Sequence, residues 1–142
     1  MDDLFNLERF VEAQRAEYPQ VLVELRAGRK RSHWIWFIFP QLKGLGRSPA
    51  SEHYGVASLD EARAYLSHPV LGPRLEECTR LVNQIEGSTV DQIFGFPDNL
   101  KFRSSMTLFS RAAPDNPIYV AALDKCFAGE ADPRTIELLQ QT

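Results

Sequence analysis

Cysteine is scarce. Cys78 and Cys126 are the only two in 142 residues, far apart and without paired spacing, which excludes a disulfide framework and a Cys-x-x-Cys metal motif. No stretch approaches the roughly 20 apolar residues that a bilayer crossing needs; the densest, Trp34 to Phe39, runs at once into Pro40 and Gln41. Neither sign of charge dominates: 16 Lys and Arg stand against 19 Asp and Glu, a net charge of −3, so the chain has no global basic field for nonspecific nucleic-acid binding. The histidines His33, His53 and His68 lack metal-ligand spacing, so neither a metal nor a cofactor is expected. Repeats, low-complexity segments and linkers are also missing. The acidic opening Met1-Asp2-Asp3 argues against a signal or transit peptide. What is there is 44% hydrophobic and 11% aromatic, enough for one packed core in a chain of this length. The expectation is a reduced, cytoplasmic, single-domain protein spanning residues 1–142, its oligomeric state left open.

Cap and breaker signals recur along the chain and predict helices throughout. Leu7, Phe10, Val11, Gln14 and Tyr18 follow helical spacing after Asp2 and Asp3, which suit a helix start. Pro19 suits the first turn of a new helix, with Val21, Leu22 and Leu25 as its stripe and Gly28 as its stop. Ser58-Leu59-Asp60-Glu61 is a capping-box pattern opening a helix through Ser67. Pro69 and Gly72-Pro73 break or redirect the chain before Leu75, Cys78, Leu81, Val82 and Ile85 repeat helically up to Gly87. Ser88 or Thr89 caps a short helix ending near Gly95, and Asp98 precedes a longer one reaching Ala113. Asn116-Pro117 and Asp132-Pro133 each place a cap residue before a first-turn proline, and Gly129 closes the first of these two helices. Trp34 to Phe39 reads as a buried strand or a short buried helix. Ser32 can cap it and no partner strand is evident, which favours the helix. The predicted architecture is all-α, a compact single-domain bundle of six to eight short helices.

Charge is unevenly placed. Six of the 16 basic residues (Arg26, Arg29, Lys30, Arg31, Lys43, Arg47) lie between Arg26 and Arg47 with no Asp or Glu among them, so the rest of the chain is strongly acidic. A local positive zone of this kind points to a confined anion site; the competing reading is a solvated loop paired with acidic helices. Within it, Gly44 and Gly46 allow close backbone approach, with Lys43, Arg47 and Ser48 as donors for an oxyanion. The spacing is neither that of a Walker loop nor that of a dinucleotide fingerprint. Arg29, Lys30, His33 and Trp34 flank it. On the helix after Asp98, Phe102, Met106, Phe109 and Ala113 share a core face. Asp98, Lys101 and Ser105 run along its edge, with Ser104 one step round, as in the wall of a cleft. The competing reading makes Asp98 a helix cap and Lys101 a rim residue. Gln14, on an apolar stripe, is a buried amide that either ties down a loop or reads a ligand. One core in a short chain predicts that His33 or Lys43 shares a cleft with Asp98, Lys101 and Ser104.

Several pieces of the chain together resemble domain-of-unknown-function family 1810, a bacterial family. They are Ala13-Gln14, Gly28 to Trp34 (GRKRSHW), Trp36 to Gln41 (WFIFPQ), Gly44-Leu45-Gly46, and Glu61-Ala62 with Tyr65-Leu66. His68 to Leu75 (HPVLGPRL), Phe94-Gly95, Asp98 with Lys101, and Ser104 to Phe109 (SSMTLF) complete the pattern. The resemblance implies an all-helical single domain without a settled activity. It includes Gln14, Arg29, Lys30, His33, Lys43, Asp98, Lys101, Ser104 and Ser105, which favours a site over a plain surface. The stretch from Asp98 to Phe109, with Lys101-Phe102, is also similar to the NADAR superfamily, helical proteins associated with NAD and ADP-ribose metabolism. The leading expectation is an enzyme or binding protein for a phosphate-bearing, ADP-ribose-like nucleotide derivative. Arg29, Lys30, Lys43, Arg47 and the Gly44 to Gly46 amides would hold phosphates, and Trp34 or Trp36 would stack a ring. If N-glycoside cleavage occurs, Asp98 would act as acid, base or oxocarbenium stabiliser, with Lys101 beside it. The alternative is a non-catalytic interaction module whose basic segment docks an acidic protein partner. Nucleic acid is disfavoured by the acidic remainder, and no membrane role is expected.

Overall fold

The carboxylate of Asp3 accepts the Leu7 N–H at 2.7 Å and the Glu8 N–H at 2.9 Å. It thereby satisfies donors that helix α1 (Glu8–Arg26) leaves orphaned at its start. Those amides hold the Asp3 carboxyl below its ordinary value. The computed structural model describes residues 3–141, so the predicted contribution of Asp2 lies outside the described residues. The break predicted at Pro19 does not occur: α1 continues straight through it. Proline inside a helix costs about 3 kcal/mol. Here Phe10 and Gln14 before it, and Val21, Glu24 and Leu25 after it, are all buried in the same interior, so packing on both sides holds the two halves as one rod. The stop at Gly28 is as the sequence predicts. With Gly28 at φ +77°, its N–H bonds to the Leu25 carbonyl and the Arg29 N–H to the Glu24 carbonyl, a Schellman closure.

Eight further helices follow among the described residues: α2 (Ile35–Ile38), α3 (Pro49–Tyr54), α4 (Leu59–Ser67), α5 (Leu71–Gln84), α6 (Val90–Phe94), α7 (Asp98–Ala112), α8 (Ile118–Phe127) and α9 (Pro133–Gln140). The structure is thus all-α, with three of the nine helices no longer than six residues. The apolar run from Trp34 is helical for one turn. No strand forms among the described residues, only an isolated parallel bridge between Leu42 and Val56. Side-chain caps mark the starts of three helices, α3, α4 and α6. Thr89 and Gln92 form a full capping box, and Ser58 accepts the Glu61 N–H at 3.1 Å. The Glu61 side chain, however, reaches past Ser58 to the Ala57 N–H and to Arg9. Helix α3 was not foreseen, although Ser48-Pro49 gives it a cap and a first-turn proline.

Helix α7 is the hub, packing against α2, α4, α6, α8 and α9. Its predicted core residues Phe102, Met106 and Phe109 are buried, and so are Ser104, Ser105, Thr107 and Leu108, so nearly all of its circumference is covered. Phe39 lies edge-on to Phe102 at 4.9 Å, which brings the end of the apolar run against the middle of α7. Of the aromatic residues expected inside, Trp36 is the exception: it is only partly buried and borders a cleft.

Gly72 is not a break but lies in the first turn of α5, where α4 and α5 meet back to back; the chain redirects earlier, at Pro69. A Cβ at Gly72 would lie 2.1 Å from the Leu66 carbonyl oxygen. Because the obstacle is backbone, Gly72→Ala is expected to cost on the order of 3 kcal/mol, the upper end of ordinary overpacking. Urea denaturation measures this, and a loss below about 1 kcal/mol would mean that α4 and α5 slide apart freely.

Candidate functional site

The basic segment is fixed by one buried carboxylate. Glu24, 2% exposed, accepts from the Arg31 N–H (2.7 Å), the Ser32 N–H (3.0 Å) and Trp34 Nε1 (2.9 Å) on Oε1, and from Ser32 Oγ (2.6 Å) and Gln20 Nε2 (2.9 Å) on Oε2. Burial works against its charged form, but the donors from Ser32, Arg31, Gln20 and Trp34 outweigh it and bring the carboxyl down to about 2. Ser32 is therefore a strut rather than the predicted cap of α2, which starts after Trp34. Trp34 is fully buried with its N–H engaged, so it cannot stack a ligand.

Lys30 turns inward from this loop. Its side chain is 6% exposed, and Nζ lies 2.6 Å from Asp98 Oδ2. Asp98 is the first residue of α7, not its cap, and its other oxygen lies 3.4 Å from Lys101 Nζ. Lys101 Nζ in turn sits 4.4 Å above the Trp36 ring. One carboxylate shared by two ammonium groups leaves the cluster with a net positive charge.

That charge stands at a cleft of about 300 Å³ between the segment after α2 and the α7–α9 corner. Trp36, Gln41 and Gly46 line one side, and Lys101, Ser104, Asp132 and Arg134 the other. Gln41 is 8% exposed; its backbone carbonyl is held by the Val56 N–H at 2.9 Å, while its side-chain amide has no hydrogen-bond partner among the described residues. Asp132 is held from three directions. Its Oδ2 accepts from Ser104 Oγ (2.8 Å) and Thr135 Oγ1 (2.6 Å), and its N–H donates to Thr107 Oγ1 (2.8 Å). Its Oδ1 has no protein partner among the described residues. Gly46 packs so closely on Ser51 that a Cβ would come within 2.9 Å of it, which accounts for glycine there.

The residues singled out from the sequence fall in several places. Gly46, Lys101 and Ser104 border the cleft, with Asp98 and Lys30 behind Lys101. Contrary to expectation, His33 and Lys43 do not join them. His33 is exposed, and Lys43 borders a separate depression near Arg9, Glu52 and Glu61. The reason is the strut at Glu24: it fixes residues 31–34 so that Lys30 and Trp34, rather than His33, point inward. Arg29 and the stem of Lys30 border a groove against α6, and Arg47 and Gly44 (φ +102°) are exposed, so no single phosphate cage forms from the basic segment. Gln14 is a structural tie: its Nε2 donates to the Phe37 carbonyl at 2.7 Å and to Tyr65 Oη at 3.1 Å, which pins α2 to α1. Ser105 is fully buried, away from the cleft's lining. Gln41, Asp132 and Arg134 were missed. Asp132-Pro133 carries a helix-start signal that hides a second use of the carboxylate, and the fold brings it to Ser104 across 28 residues.

Among the described residues no group of three or more His, Cys, Asp or Glu could hold a metal ion, and no helix is long and apolar enough to cross a membrane. A family model described as a protein of unknown function, DUF1810, matches residues 4–139. The crystal structure of the conserved hypothetical protein Rv1873 from Mycobacterium tuberculosis is similar at a TM-score of 0.97 and 58% sequence identity, over 99% of this chain and 100% of that one. No curated protein matches the chain.

Proposed function

Because this chain belongs to the DUF1810 family, a family of unknown function, we propose its function from the cleft itself: it binds a small phosphorylated ligand of the nucleotide-derivative class. The observation that carries this reading is the pair of ammonium groups on Asp98. Lys30 at 2.6 Å takes the closer share of the carboxylate, and Lys101 at 3.4 Å, 20% exposed and bordering the cleft, is left with an incomplete partner. A phosphate oxygen at Lys101 would complete the balance in a partly desolvated place, where a charge-assisted hydrogen bond is stronger than one in water. Trp36, half-buried at the border of the cleft, offers apolar surface beside Lys101 for a sugar or base, and Arg134, paired with Glu137 at 3.8 Å, stands at the rim. Both Asp98 oxygens face ammonium groups, which supports a role in positioning Lys101 rather than in moving a proton. The reading therefore favours ligand binding, and in N-glycoside cleavage Lys101 would neutralise the phosphate-bearing part.

A thermal-shift series with inorganic phosphate, AMP and ADP-ribose tests it. At tenfold excess over Kd, a ligand of the native state adds roughly 1.4 kcal/mol, or about 4 °C in Tm for a chain of this size. Lys101→Gln, which leaves the Lys30–Asp98 pair intact, is expected to abolish the shift without lowering the ligand-free Tm by more than about 2 °C. The second reading is an interaction module, favoured by the exposure of Arg29, Arg31, His33, Lys43 and Arg47. Absence of any shift with all three ligands would put that reading ahead.

A further inference from the structure

We infer that the ligand of this cleft is a sugar phosphate whose hydroxyl groups are read by Asp132 and Gln41; the inference rests on the anion-binding reading of Lys101. The two groups share one property: each borders the cleft with hydrogen-bonding capacity that the protein does not use. Asp132 Oδ2 is occupied by Ser104 and Thr135, while Oδ1 is free of protein partners among the described residues. The Gln41 amide, on a residue 8% exposed, likewise makes no hydrogen bond among the described residues. The amide opens onto the cleft from a residue that is otherwise buried and held by its backbone, so a ligand group entering the cleft meets a positioned donor and acceptor.

The chemistry of that group follows from the neighbours. A carboxylate oxygen accepts, so the ligand must donate to Asp132. Arg134 is paired with Glu137 at 3.8 Å, so Lys101 is the cation that takes the phosphate, and a hydroxyl of the same ligand is the neutral donor offered to Asp132. Asp132 is held by Ser104, one turn beyond Lys101 on α7, so a ligand anchored at Lys101 meets Asp132 with a group set apart from its phosphate. A sugar ring carries hydroxyl donors on several carbons and can present one there. A cleft of about 300 Å³ is also at the small end of ligand sites, suited to a pentose phosphate or mononucleotide rather than both halves of a dinucleotide.

Isothermal titration calorimetry with ribose 5-phosphate, pentyl phosphate (the same anion on a chain without hydroxyls) and inorganic phosphate tests this. Ribose 5-phosphate is expected to bind at least tenfold tighter than pentyl phosphate. Asp132→Asn keeps an oxygen for Ser104 and Thr135 and should remove most of that preference without weakening inorganic phosphate binding, which the loss of a negative charge from the cleft can only strengthen. Gln41→Leu, which breaks no bond within the protein, should cut ribose 5-phosphate affinity severalfold and likewise spare phosphate. Equal affinity for the two organic phosphates, or a preference that survives both substitutions, overturns the sugar assignment while the anion site stands. Absence of binding by all three, inorganic phosphate included, removes the anion site and the inference with it.

Discussion

Replacing Glu24 with alanine is expected to remove about 3–5 kcal/mol of stability, a large part of the 5–15 kcal/mol that holds a typical domain. Five donors converge on this carboxylate: two backbone amides, a hydroxyl, an indole and a side-chain amide. Alanine leaves all of them without an acceptor. Trp34 Nε1 lies in the buried core, where an orphaned donor costs about 1–3 kcal/mol, while the amides of Arg31 and Ser32 can partly recover through water. Urea denaturation at pH 7 measures the loss. The same group gives the fold an acid sensitivity of known sign. Glu24 is held at about 2 when folded, below its ordinary 4.5, so its contribution is complete above pH 5 and disappears as the pH falls toward 2. The full effect is roughly 3 kcal/mol at 1.36 kcal/mol per unit. Glu24→Gln lacks this titration, so the stability gap between it and the native chain should narrow steadily from pH 5 to pH 2.5. A gap that stays constant over that range would show that Glu24 is not the titrating strut.

Those bonds explain what the sequence could and could not say. Thr89 with Gln92, and Gly28 after α1, act over three or four residues, so the local pattern determines them. Pro19 misled because a local cost of about 3 kcal/mol is smaller than the burial on either side of it, and that burial depends on the whole core. Ser32 misled in the same way: it has the composition of a cap, but the nearby Glu24 competes for its hydroxyl and its N–H. Asp98, Lys101 and Ser104 could be grouped from the sequence because one helix carries them at fixed spacing; the structure puts Lys101 and Ser104 on the wall of the cleft and Asp98 behind Lys101. Gln41 and the pair Asp132 and Arg134 could not, because these two distant segments meet α7 only in the folded chain. Uneven charge singled out the basic segment but not which of its members turns inward. Which lysine turns inward is decided by the Glu24 strut and by the carboxylate waiting at the start of α7.

The inward turn of Lys30 makes Asp98→Ala the sharpest test of how fold and site are joined. The Lys30 side chain is 6% exposed, and its only carboxylate partner among the described residues is Asp98. Removing that partner leaves the ammonium with the Trp34 ring, 5.2 Å away, as its remaining charge-stabilising neighbour, which costs about 3–5 kcal/mol, whereas an exposed pair would cost less than about 1 kcal/mol. The double variant Lys30→Met with Asp98→Leu should recover most of the loss, since two apolar groups of similar size carry no desolvation cost. A double-mutant cycle by urea denaturation gives the coupling between the two positions. A coupling under about 0.5 kcal/mol would mean that Lys30 reaches water and that the pair is incidental. The anion reading adds a further consequence. In Asp98→Ala both Lys30 and Lys101 lose their carboxylate, so inorganic phosphate should raise the Tm of this variant more than that of the native chain. In the double variant one cation and the carboxylate are both gone, and Lys101 remains with the same net charge as before. Its response to phosphate should therefore stay close to the native one. If phosphate stabilises Asp98→Ala no more than the native protein, Lys101 does not meet an anion in the cleft, and Asp98 serves only to keep Lys30 buried.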